Sequence, residues 1–325
     1  MSNDRKTPLP LPENFRGVQP GGGVCTSIEL AWGRMRRWFL KRFRKGYVAR
    51  MAETRQGDVE GAPHEILDSR DLKFCRNQCT AHWAPEDDRF RWREKIPFAS
   101  WGRAELLIMG LALLIATILT GWLSWTLVAP WLAYSLTPIP FICLCIIVYF
   151  FRDPPRTIPQ QPGLMLAPAD GKVVEITPIE HDEYIGGPAV QIALFLSVFN
   201  VHINRTPCKA RVISLVYTPG EFVTALDPEC ALRNENTWIG MEEEDAPHRP
   251  FILRQVSGVL ARRIVCDLRP GEVVQRGAKI GMIKLGSRTE LILPATDDVE
   301  IAVEVGQKVR AGVSILATFK NEPTE

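Results

Sequence analysis

Hydrophobic residues are spread unevenly along this chain of 325 residues. The 46 residues from 106 to 151 carry no charged side chain, which is more than the roughly 20 residues that one membrane crossing needs. Prolines interrupt this run, so the pattern predicts one helix over Leu106–Val128 and a second over Ile139–Phe151. Arginines flank both outer ends, which predicts a membrane hairpin over 104–151 with both ends in the cytoplasm. Because the second helix is short for a full crossing, a re-entrant or interfacial helix is the alternative.

Beyond residue 152 the apolar residues fall into short runs separated by Gly, Pro, Asn and Asp. Such spacing predicts a mainly β fold over 152–325, an antiparallel sandwich or barrel. The predicted strands are Lys172–Ile176, Val190–Val198, Arg211–Tyr217, Phe251–Val256, Ile264–Cys266, Lys279–Ile283, Leu291–Leu293 and Val299–Val303.

One turn pattern occurs twice in this region. The sequence G-x-x-V-x-x-G stands at Gly271–Gly277 and again at Gly306–Gly312, each copy ahead of a β-like run. Turns of this kind are typical of the small β-sandwiches of biotinyl and lipoyl carriers. Neither copy is followed by a carrier lysine in a tight hairpin, so the repeat indicates a fold and not a carrier function.

The first 100 residues predict a basic, partly disordered extension. Residues 1–26 are polar and rich in proline and glycine, which predicts a flexible tail and is unlike a secretory signal. From Arg34 to Arg50 there are eight Lys or Arg residues, no acid, and aromatic residues at helical spacing. We expect an amphipathic helix on an anionic membrane surface, with a solvated basic face as the alternative. Nucleic-acid binding is not expected, since nothing in the C-terminal half supports it.

Charge and cysteine content change this picture little. The formal net charge is only +2, and the eight cysteines lie at irregular positions, two of them inside the apolar run. A secreted disulfide framework is therefore not predicted, and reduced thiols are. Cys75, Cys79 and His82 offer three candidate ligands without a clear fourth, so no metal site is predicted.

The stretch Ile283–Arg288 has one unusual chemical option. The hydroxyl of Ser287 can attack the carbonyl of Gly286, because glycine does not obstruct the approach and tolerates a strained backbone. Loss of the Ser287 α-proton would then open the ester to dehydroalanine, which hydrolyses to a pyruvoyl group. A pyruvoyl carbonyl forms a Schiff base with an amine and accepts the electrons of a departing carboxylate. Taken alone, a Gly-Ser pair is far more often an ordinary turn.

Four segments together raise the weight of that option. They are Phe150–Arg156, Ala167–Val173, Phe195–Pro207 and Gly281–Arg288, in this order behind the apolar region. In this combination the chain resembles the short form of phosphatidylserine decarboxylase, a pyruvoyl-dependent membrane enzyme. The resemblance covers about residues 138–318, whereas the first hundred residues match no pattern of the family.

The resemblance implies a proenzyme that cuts itself between Gly286 and Ser287. Residues 1–286 would form the β piece and residues 287–325 the α piece, which starts with the pyruvoyl group made from Ser287. The two pieces would stay together as a heterodimer, with a higher oligomer left open. It further implies phosphatidylserine as substrate, phosphatidylethanolamine as product, and a catalytic domain on the cytoplasmic side of the cell membrane.

Roles for individual residues follow from the same resemblance. His202 is the candidate for proton transfer, and Asp170 would orient and tune a base. Asn204 and Arg205 would hold the phosphate or carboxylate of the substrate. Longer relatives carry a second histidine where this chain has Arg205, so a full Ser-His-Asp triad is in doubt here. By themselves Asp170 is a turn residue, His202 a packed histidine and Arg205 half of an ion pair.

Two other functions stay open at this stage. One is a pyruvoyl decarboxylase that acts on another substrate, such as an archaetidyl-type serine lipid or a soluble amino acid, although the membrane hairpin favours a lipid. The other is a non-catalytic membrane adaptor that docks through its β-sandwich. An adaptor would remain uncut, and it leaves Gly286-Ser287 with His202 and Asp170 unexplained.

Overall fold

A computed structural model describes residues 5–126, 130–227, 230–259, 263–284 and 287–320. The helices are α1 (Val24–Phe43), α2 (Lys45–Thr54), α3 (Arg103–Thr126), α4 (Pro130–Leu136), α5 (Pro138–Phe150) and α6 (Cys230–Arg233). Short 3-10 helices cover Ser69–Phe74, Arg76–Gln78, Arg91–Lys95 and Ser100–Gly102.

The strands begin with the two-residue pair β1 (Arg55–Gln56) and β2 (His82–Trp83). The remaining ones are β3 (Leu164–Leu166), β4 (Gly171–Asp182), β5 (Gly187–Leu196), β6 (Ile203–Arg205), β7 (Ala210–Thr218), β8 (Asn236–Glu243), β9 (Pro250–Val256), β10 (Arg263–Cys266), β11 (Val273–Val274), β12 (Lys279–Lys284), β13 (Ser287–Pro294), β14 (Val299–Ile301), β15 (Lys308–Val309) and β16 (Ile315–Phe319).

The C-terminal half is a curled antiparallel sheet covered by two smaller sheets. The large sheet has the order β11-β7-β8-β9-β13-β5-β4-β15, and the small ones have the orders β10-β12-β6 and β14-β16-β3. A mainly β fold was predicted and is confirmed. Each predicted run overlaps a strand of the structure, whereas β3, β6, β8, β11, β15 and β16 were not among the predicted runs. Val and Ile at alternate positions place one side of each strand in the core, and this alternation allows such strands to be predicted from the sequence.

The core lies between the large sheet and the two small ones. Leu194 and Leu196 of β5 share one buried cluster with Met165 of β3, Ile280 of β12 and Leu316 of β16. Burying a side chain of this size stabilises the folded state by about 1.5–3 kcal/mol, so this shared core binds the three sheets into one unit. Strand β13 lies in the middle of the large sheet, and all eight of its residues are buried.

The two G-x-x-V-x-x-G turns occupy equivalent places at opposite edges of the large sheet. Gly271 and Gly306 have φ angles of 83° and 99°, values that favour glycine. After the first turn β11 pairs with β7, and after the second β15 pairs with β4. The two segments that contact these turns are also hydrogen-bonded to each other. Leu166 N donates to the Pro207 carbonyl, and Arg205 N donates to the Pro168 carbonyl. The sequence repeat therefore corresponds to a local two-fold arrangement.

The N-terminal segment differs from the predicted flexible tail. Residues 5–23 run along the C-terminal half of the chain, where Phe15 and Val18 are buried. Leu9 N donates to the Ile213 carbonyl at 2.8 Å, and Cys266 N donates to the Val18 carbonyl at 2.8 Å. The two buried side chains contribute about 1.5–3 kcal/mol each towards holding the segment in place, and the backbone hydrogen bonds add to them.

The rest of the extension forms a small unit of its own. Helix α2, the segment of the first two 3-10 helices and the β1–β2 pair contribute to a cluster that includes Met51, Ile66, Cys75, Cys79 and Trp83. The basic stretch that was predicted as one helix is divided between α1 and α2 at Arg44. On α1 the large apolar side chains that remain exposed include Val24, Ile28, Trp32, Met35, Phe39 and Phe43.

The apolar region contains one helix long and apolar enough to cross a membrane. This helical stretch covers Ser100–Thr126, 27 residues that contain an 18-residue window with a mean hydropathy of 2.4. A shorter apolar stretch, Tyr134–Phe150, returns towards the start of α3. The two outer ends meet, because Phe98 and Arg152 form an antiparallel bridge and Ala99 N donates to the Phe151 carbonyl at 2.8 Å.

Replacing Gly171 by Ala tests the close approach of β4 and β5. A Cβ atom at Gly171 would lie 2.4 Å from the Phe195 carbonyl oxygen, so the strands must separate, and we expect a loss of about 1–3 kcal/mol or more in the free energy of unfolding. Gly187→Ala is the matched control, because nothing lies within 4 Å of its added Cβ atom. Urea titration measures both variants in detergent, and equal stability would contradict this account of Gly171.

Candidate active site

Ser287 is the first residue of β13 and lies at the centre of the large sheet. It pairs with Leu196 of β5, and the following residue Arg288 pairs with both Phe195 and Val256. Ser287 is fully buried, and its hydroxyl has no hydrogen-bond partner among the residues that the structure describes. Buried hydroxyls are normally hydrogen-bonded, so an orphaned one calls for an explanation. Gly286, the predicted partner in self-cleavage, lies outside the described residues.

The chain crosses between two sheets twice at this place. One crossing leads from Leu196 at the end of β5 to Ile203 at the start of β6, and the other leads from Lys284 of β12 to Ser287 of β13. Because β5 pairs with β13 and β6 pairs with β12, the two crossings connect the same sheets at neighbouring positions. His202 lies on the first crossing, and its carbonyl accepts a hydrogen bond from Ile283 N at 3.2 Å.

His202 is enclosed and held in one orientation. Its ring centroid is 4.5 Å from that of Phe150 in the Phe150–Arg156 segment, and its Nδ1 atom lies 3.0 Å from the Asn200 carbonyl oxygen. A carbonyl only accepts, so Nδ1 carries the proton and Nε2 carries the basic lone pair. Burial lowers the pKa of His202 to about 4, with a smaller contribution from the charge of Arg152, so the imidazole is neutral at pH 7.

Asp170 stands directly before β4, on the far side of β5 from Ser287. Lys172 and Arg288 both pair with Phe195, so β4 and β13 are separated by the width of two strand spacings, about 10 Å. The Asp170 carboxylate forms an ion pair with Arg156 at 2.8 Å and accepts a hydrogen bond from Ala311 N at 2.8 Å. The structure thus places Asp170 near the same end of the sheet as Ser287 and gives its oxygens to a guanidinium and a backbone amide.

Asn204 belongs to a buried polar cluster directly beneath Ser287. Its Nδ2 atom donates to Thr289 Oγ1 at 3.2 Å, and its Oδ1 atom accepts from Gln255 Nε2 at 2.8 Å. Thr289 is two residues after Ser287 and therefore shares its face of the strand. The cluster joins the large sheet to β6 and fixes the floor of the site. Sequence reasoning missed Thr289 and Gln255, because a polar residue within a β-like run gives no signal of what it faces.

Arg205 is held by the framework of the fold. Its Nη1 atom donates to the Gly277 carbonyl at 2.8 Å, and its Nη2 atom lies 3.5 Å from the Asp153 carboxylate. These contacts connect Gly277, at the end of the first G-x-x-V-x-x-G turn, with Asp153, which follows α5. Sequence reasoning missed Arg156, whose charge lies beside the Asp170 carboxylate. The signal that could have found it was its position in the Phe150–Arg156 segment.

On the opposite face of β13 lies a buried charge network. Arg288 is 2% exposed, and its guanidinium forms ion pairs with Glu175 at 2.6 Å and Glu290 at 2.7 Å. Arg254 contacts the same Glu290 at 3.1 Å. The neighbouring carboxylates hold the pKa of Arg288 above its ordinary value despite burial. The residue after Ser287 is therefore anchored by charge as well as by strand pairing.

The lowered pKa of His202 predicts a pH effect on stability. Between pH 6.5 and about 4 the unfolded chain binds a proton on His202 that the folded chain does not. The free energy of unfolding therefore decreases as the pH is lowered through this range, by up to about 3 kcal/mol. Urea titrations from pH 7 to pH 4.5 compare Ser287→Ala with Ser287→Ala/His202→Gln, which are both uncut. The double variant should lose less stability over this range, and parallel curves would show that His202 titrates normally.

Removing Arg288 should destabilise the start of β13. Arg288→Met leaves the fully buried Glu290 with Arg254 as its remaining charge partner, and we expect a loss of about 3 kcal/mol, at the low end for a broken buried pair. Arg310→Met, at an exposed position, is the control and should stay within about 0.5 kcal/mol. Thermal and urea unfolding of both variants in the uncut Ser287→Ala background is the measurement. A loss below about 1 kcal/mol would mean that the network does not anchor the strand.

Comparison with known proteins agrees with this geometry. The family model described as phosphatidylserine decarboxylase matches residues 145–317, a little over half of the chain. The chain is 43% identical over 249 residues to a phosphatidylserine decarboxylase proenzyme of Rhodopirellula baltica, covering 77% of this chain and 99% of that protein. Proenzymes of the same name from Syntrophus aciditrophicus (38% over 232 residues, 71% and 99% covered) and Desulfotalea psychrophila (42% over 181 residues, 56% and 83% covered) also match. The chain therefore belongs to the phosphatidylserine decarboxylase family of proenzymes, as its sequence motifs indicated.

Proposed function

We propose that this chain is a membrane-bound proenzyme that cuts itself between Gly286 and Ser287 and then decarboxylates phosphatidylserine to phosphatidylethanolamine. The observation that carries the proposal is the hydroxyl of Ser287, which is buried without a hydrogen-bond partner among the described residues. It stands beside the crossing that holds a neutral histidine, His202. A nucleophile and a neutral base at neighbouring crossings are what self-cleavage requires.

Self-cleavage conserves atoms in three steps. Ser287 Oγ bonds to the Gly286 carbonyl carbon while the peptide C–N bond breaks, which leaves an ester and a free Ser287 amine. Removal of the Ser287 α-proton expels the Gly286 carboxylate from Cβ and leaves dehydroalanine. Addition of one water molecule and loss of ammonia then produce the pyruvoyl group. We assign proton removal to Nε2 of His202, because burial keeps this atom unprotonated at neutral pH.

The residues present fit a pyruvoyl group at position 287. The Ser287 side chain makes no hydrogen bond among the described residues that its conversion would break, and its surroundings on β13 are otherwise buried. When formed, the group supplies a carbonyl that accepts electrons as CO2 leaves. The chain's own residues exclude water, and the Asn204–Gln255–Thr289 cluster holds the floor of the site in place. Arg205 and Asn204 remain proposed substrate contacts, and Asp170 with Arg156 remains the proposed electrostatic partner of the base.

The two pieces would stay together after cleavage. Residues 287–325 contain β13, which pairs with β5 and β9, together with β15 and β16, which pair with β4 and β3. Every one of these pairings joins the α piece to the β piece of residues 1–286. Breaking one peptide bond leaves all of them and the shared core intact, so a heterodimer is the expected product.

The membrane part of the proposal is supported by the apolar helices. The ends of the predicted hairpin meet at the Phe98–Arg152 bridge, so α3 and α5 leave and re-enter the rest of the chain at one point. Arginines at this point, Arg103 and Arg152, favour the cytoplasmic side. The exposed apolar residues of α1 with its basic neighbours favour an orientation along an anionic membrane surface. We therefore place the catalytic domain on the cytoplasmic face of the cell membrane.

Intact mass spectrometry tests the proposal. The denatured wild-type protein should give two fragments split before residue 287, and the smaller one should begin with a pyruvoyl mass and resist Edman degradation. Ser287→Ala should remain one chain, and its release of labelled CO2 from carboxyl-labelled phosphatidylserine should fall at least about 1,000-fold, since the covalent group would be missing. Ser314→Ala, a serine of the same piece whose hydroxyl accepts from Arg310 N, is the control. An uncut wild-type chain without decarboxylase activity would favour the membrane adaptor instead.

A further inference from the structure

A cavity of about 270 Å³ lies where three parts of the chain meet. The N-terminal segment around Gln19–Thr26 forms one wall, α3 and α5 form the second, and β10 and β12 form the third. Its polar lining includes Gln19, Glu105, Arg263 and Lys284, and its apolar lining includes Met109, Ile147 and Phe151. The cavity therefore has a charged end on the catalytic domain and an apolar end on the membrane helices.

The charged end is lined by two cations and one carboxylate, and the carboxylate of Glu235 beside Arg263 brings the local formal charge to zero. Arg263 and Lys284 stand opposite each other on β10 and β12, an arrangement of like charges that needs anions nearby. Lys284 forms an ion pair with Glu105 and donates to Gln19 Oε1 at 2.8 Å, while Arg263 lies 3.9 Å from Glu235. The Oε2 atom of Glu105 is buried and has no hydrogen-bond partner among the described residues. This end thus offers cations and one unsatisfied acceptor.

The cavity is within reach of the proposed reaction centre. Lys284 precedes Ser287 by three residues, and three trans peptide units place their Cα atoms no more than about 11 Å apart. Because Lys284 lines the cavity, a group bound there lies about one lipid headgroup away from Ser287.

The size of the cavity restricts what it takes. A volume of about 270 Å³ is slightly below the range of about 300–1,000 Å³ that encloses drug-sized ligands, so it suits a headgroup and not acyl chains. The apolar end lies beside α3, where Ile108 and Leu119 are exposed on the helix face that also carries Glu105 and Met109. Acyl chains would remain along this helix, in the bilayer.

We propose that this cavity binds the headgroup of a serine phospholipid, with the phosphate facing Arg263 and Lys284 and the ammonium facing Glu105. The inference rests on the proposed function and extends it to the route of the substrate. The phosphate and the ammonium of a phosphoserine headgroup are opposite in charge to these cavity groups, so the complementarity is between individual groups. It also gives the N-terminal extension a role, since its residues form one wall outside the span of the family-model match.

Kinetics with the full-length enzyme in mixed micelles test this proposal. Arg263→Gln should raise the apparent KM for phosphatidylserine at least fivefold, with kcat within twofold and self-cleavage complete. Arg263→Lys should recover most of the loss, because it keeps the cation. Arg233→Gln is the matched control, since Arg233 pairs with Glu221 at the surface and does not line the cavity. If Arg263→Gln and Arg233→Gln have the same KM, the inference is wrong.

A second pair of variants addresses bulk instead of charge, in case Arg263→Gln does not fold or cut itself. Met109→Trp places a larger side chain against the cavity from α3 and should also raise KM at least fivefold. Ile118→Trp, on an exposed part of the same helix, should behave as wild type. Unchanged KM in Met109→Trp overturns the headgroup site even if Arg263→Gln is inactive. A wild-type chain that neither cuts itself nor releases CO2 would instead remove the proposed function, so the two failures are distinguishable.

Discussion

In the proposed self-cleavage, the first residues of β13 have to stay buried in a sheet while the bond just before them breaks. A central strand meets this constraint better than a loop does. All eight residues of β13 are buried, and the strand has partners on both sides. Arg288 adds a charge anchor on the opposite face from Ser287, where Glu175 and Glu290 surround its guanidinium. A new terminus anchored in this way would keep the proposed reactive residue in place before and after cleavage.

The same burial also sets the electrostatics of the site. Removing His202 from water lowers its pKa to about 4, which keeps the imidazole unprotonated at neutral pH. The neighbouring polar groups Asn204, Gln255 and Thr289 satisfy one another across two sheets. The Ser287 hydroxyl, by contrast, lacks a partner among the described residues, and an unsatisfied buried hydroxyl costs about 1–3 kcal/mol. In the proposed acyl shift this hydroxyl becomes an ester oxygen, so that donor is removed.

The sequence indicated the strands better than the partners of the site residues. Alternating Val and Ile runs and turn glycines are local signals, and they located strands such as β7 and β9 within one or two residues. The Gly286-Ser287 pair was found from chemistry and motif order. The Asn204–Gln255 hydrogen bond joins residues 51 positions apart, so it depends on how the sheets pack and not on any local pattern. Phe15 and Val18 gave no signal either, because two isolated apolar residues have no periodicity, although both become buried.

The two-fold arrangement of the turns separates what the fold needs from what the chemistry needs. In one half Gly312 N donates to the Ala167 carbonyl, and in the other Gly277 N donates to that of Thr206. By this correspondence, Lys209 of the second half is the equivalent position of Asp170 in the first half. Asp170 is buried with Arg156, whereas Lys209 pairs with Asp245 at the surface. The Asp170 carboxylate accepts a hydrogen bond from Ala311 N in its own turn, a contact that a lysine at the corresponding position cannot make. Its second contact, with the Arg156 guanidinium, has no counterpart at Lys209 and is the part that the proposed role beside the base would use.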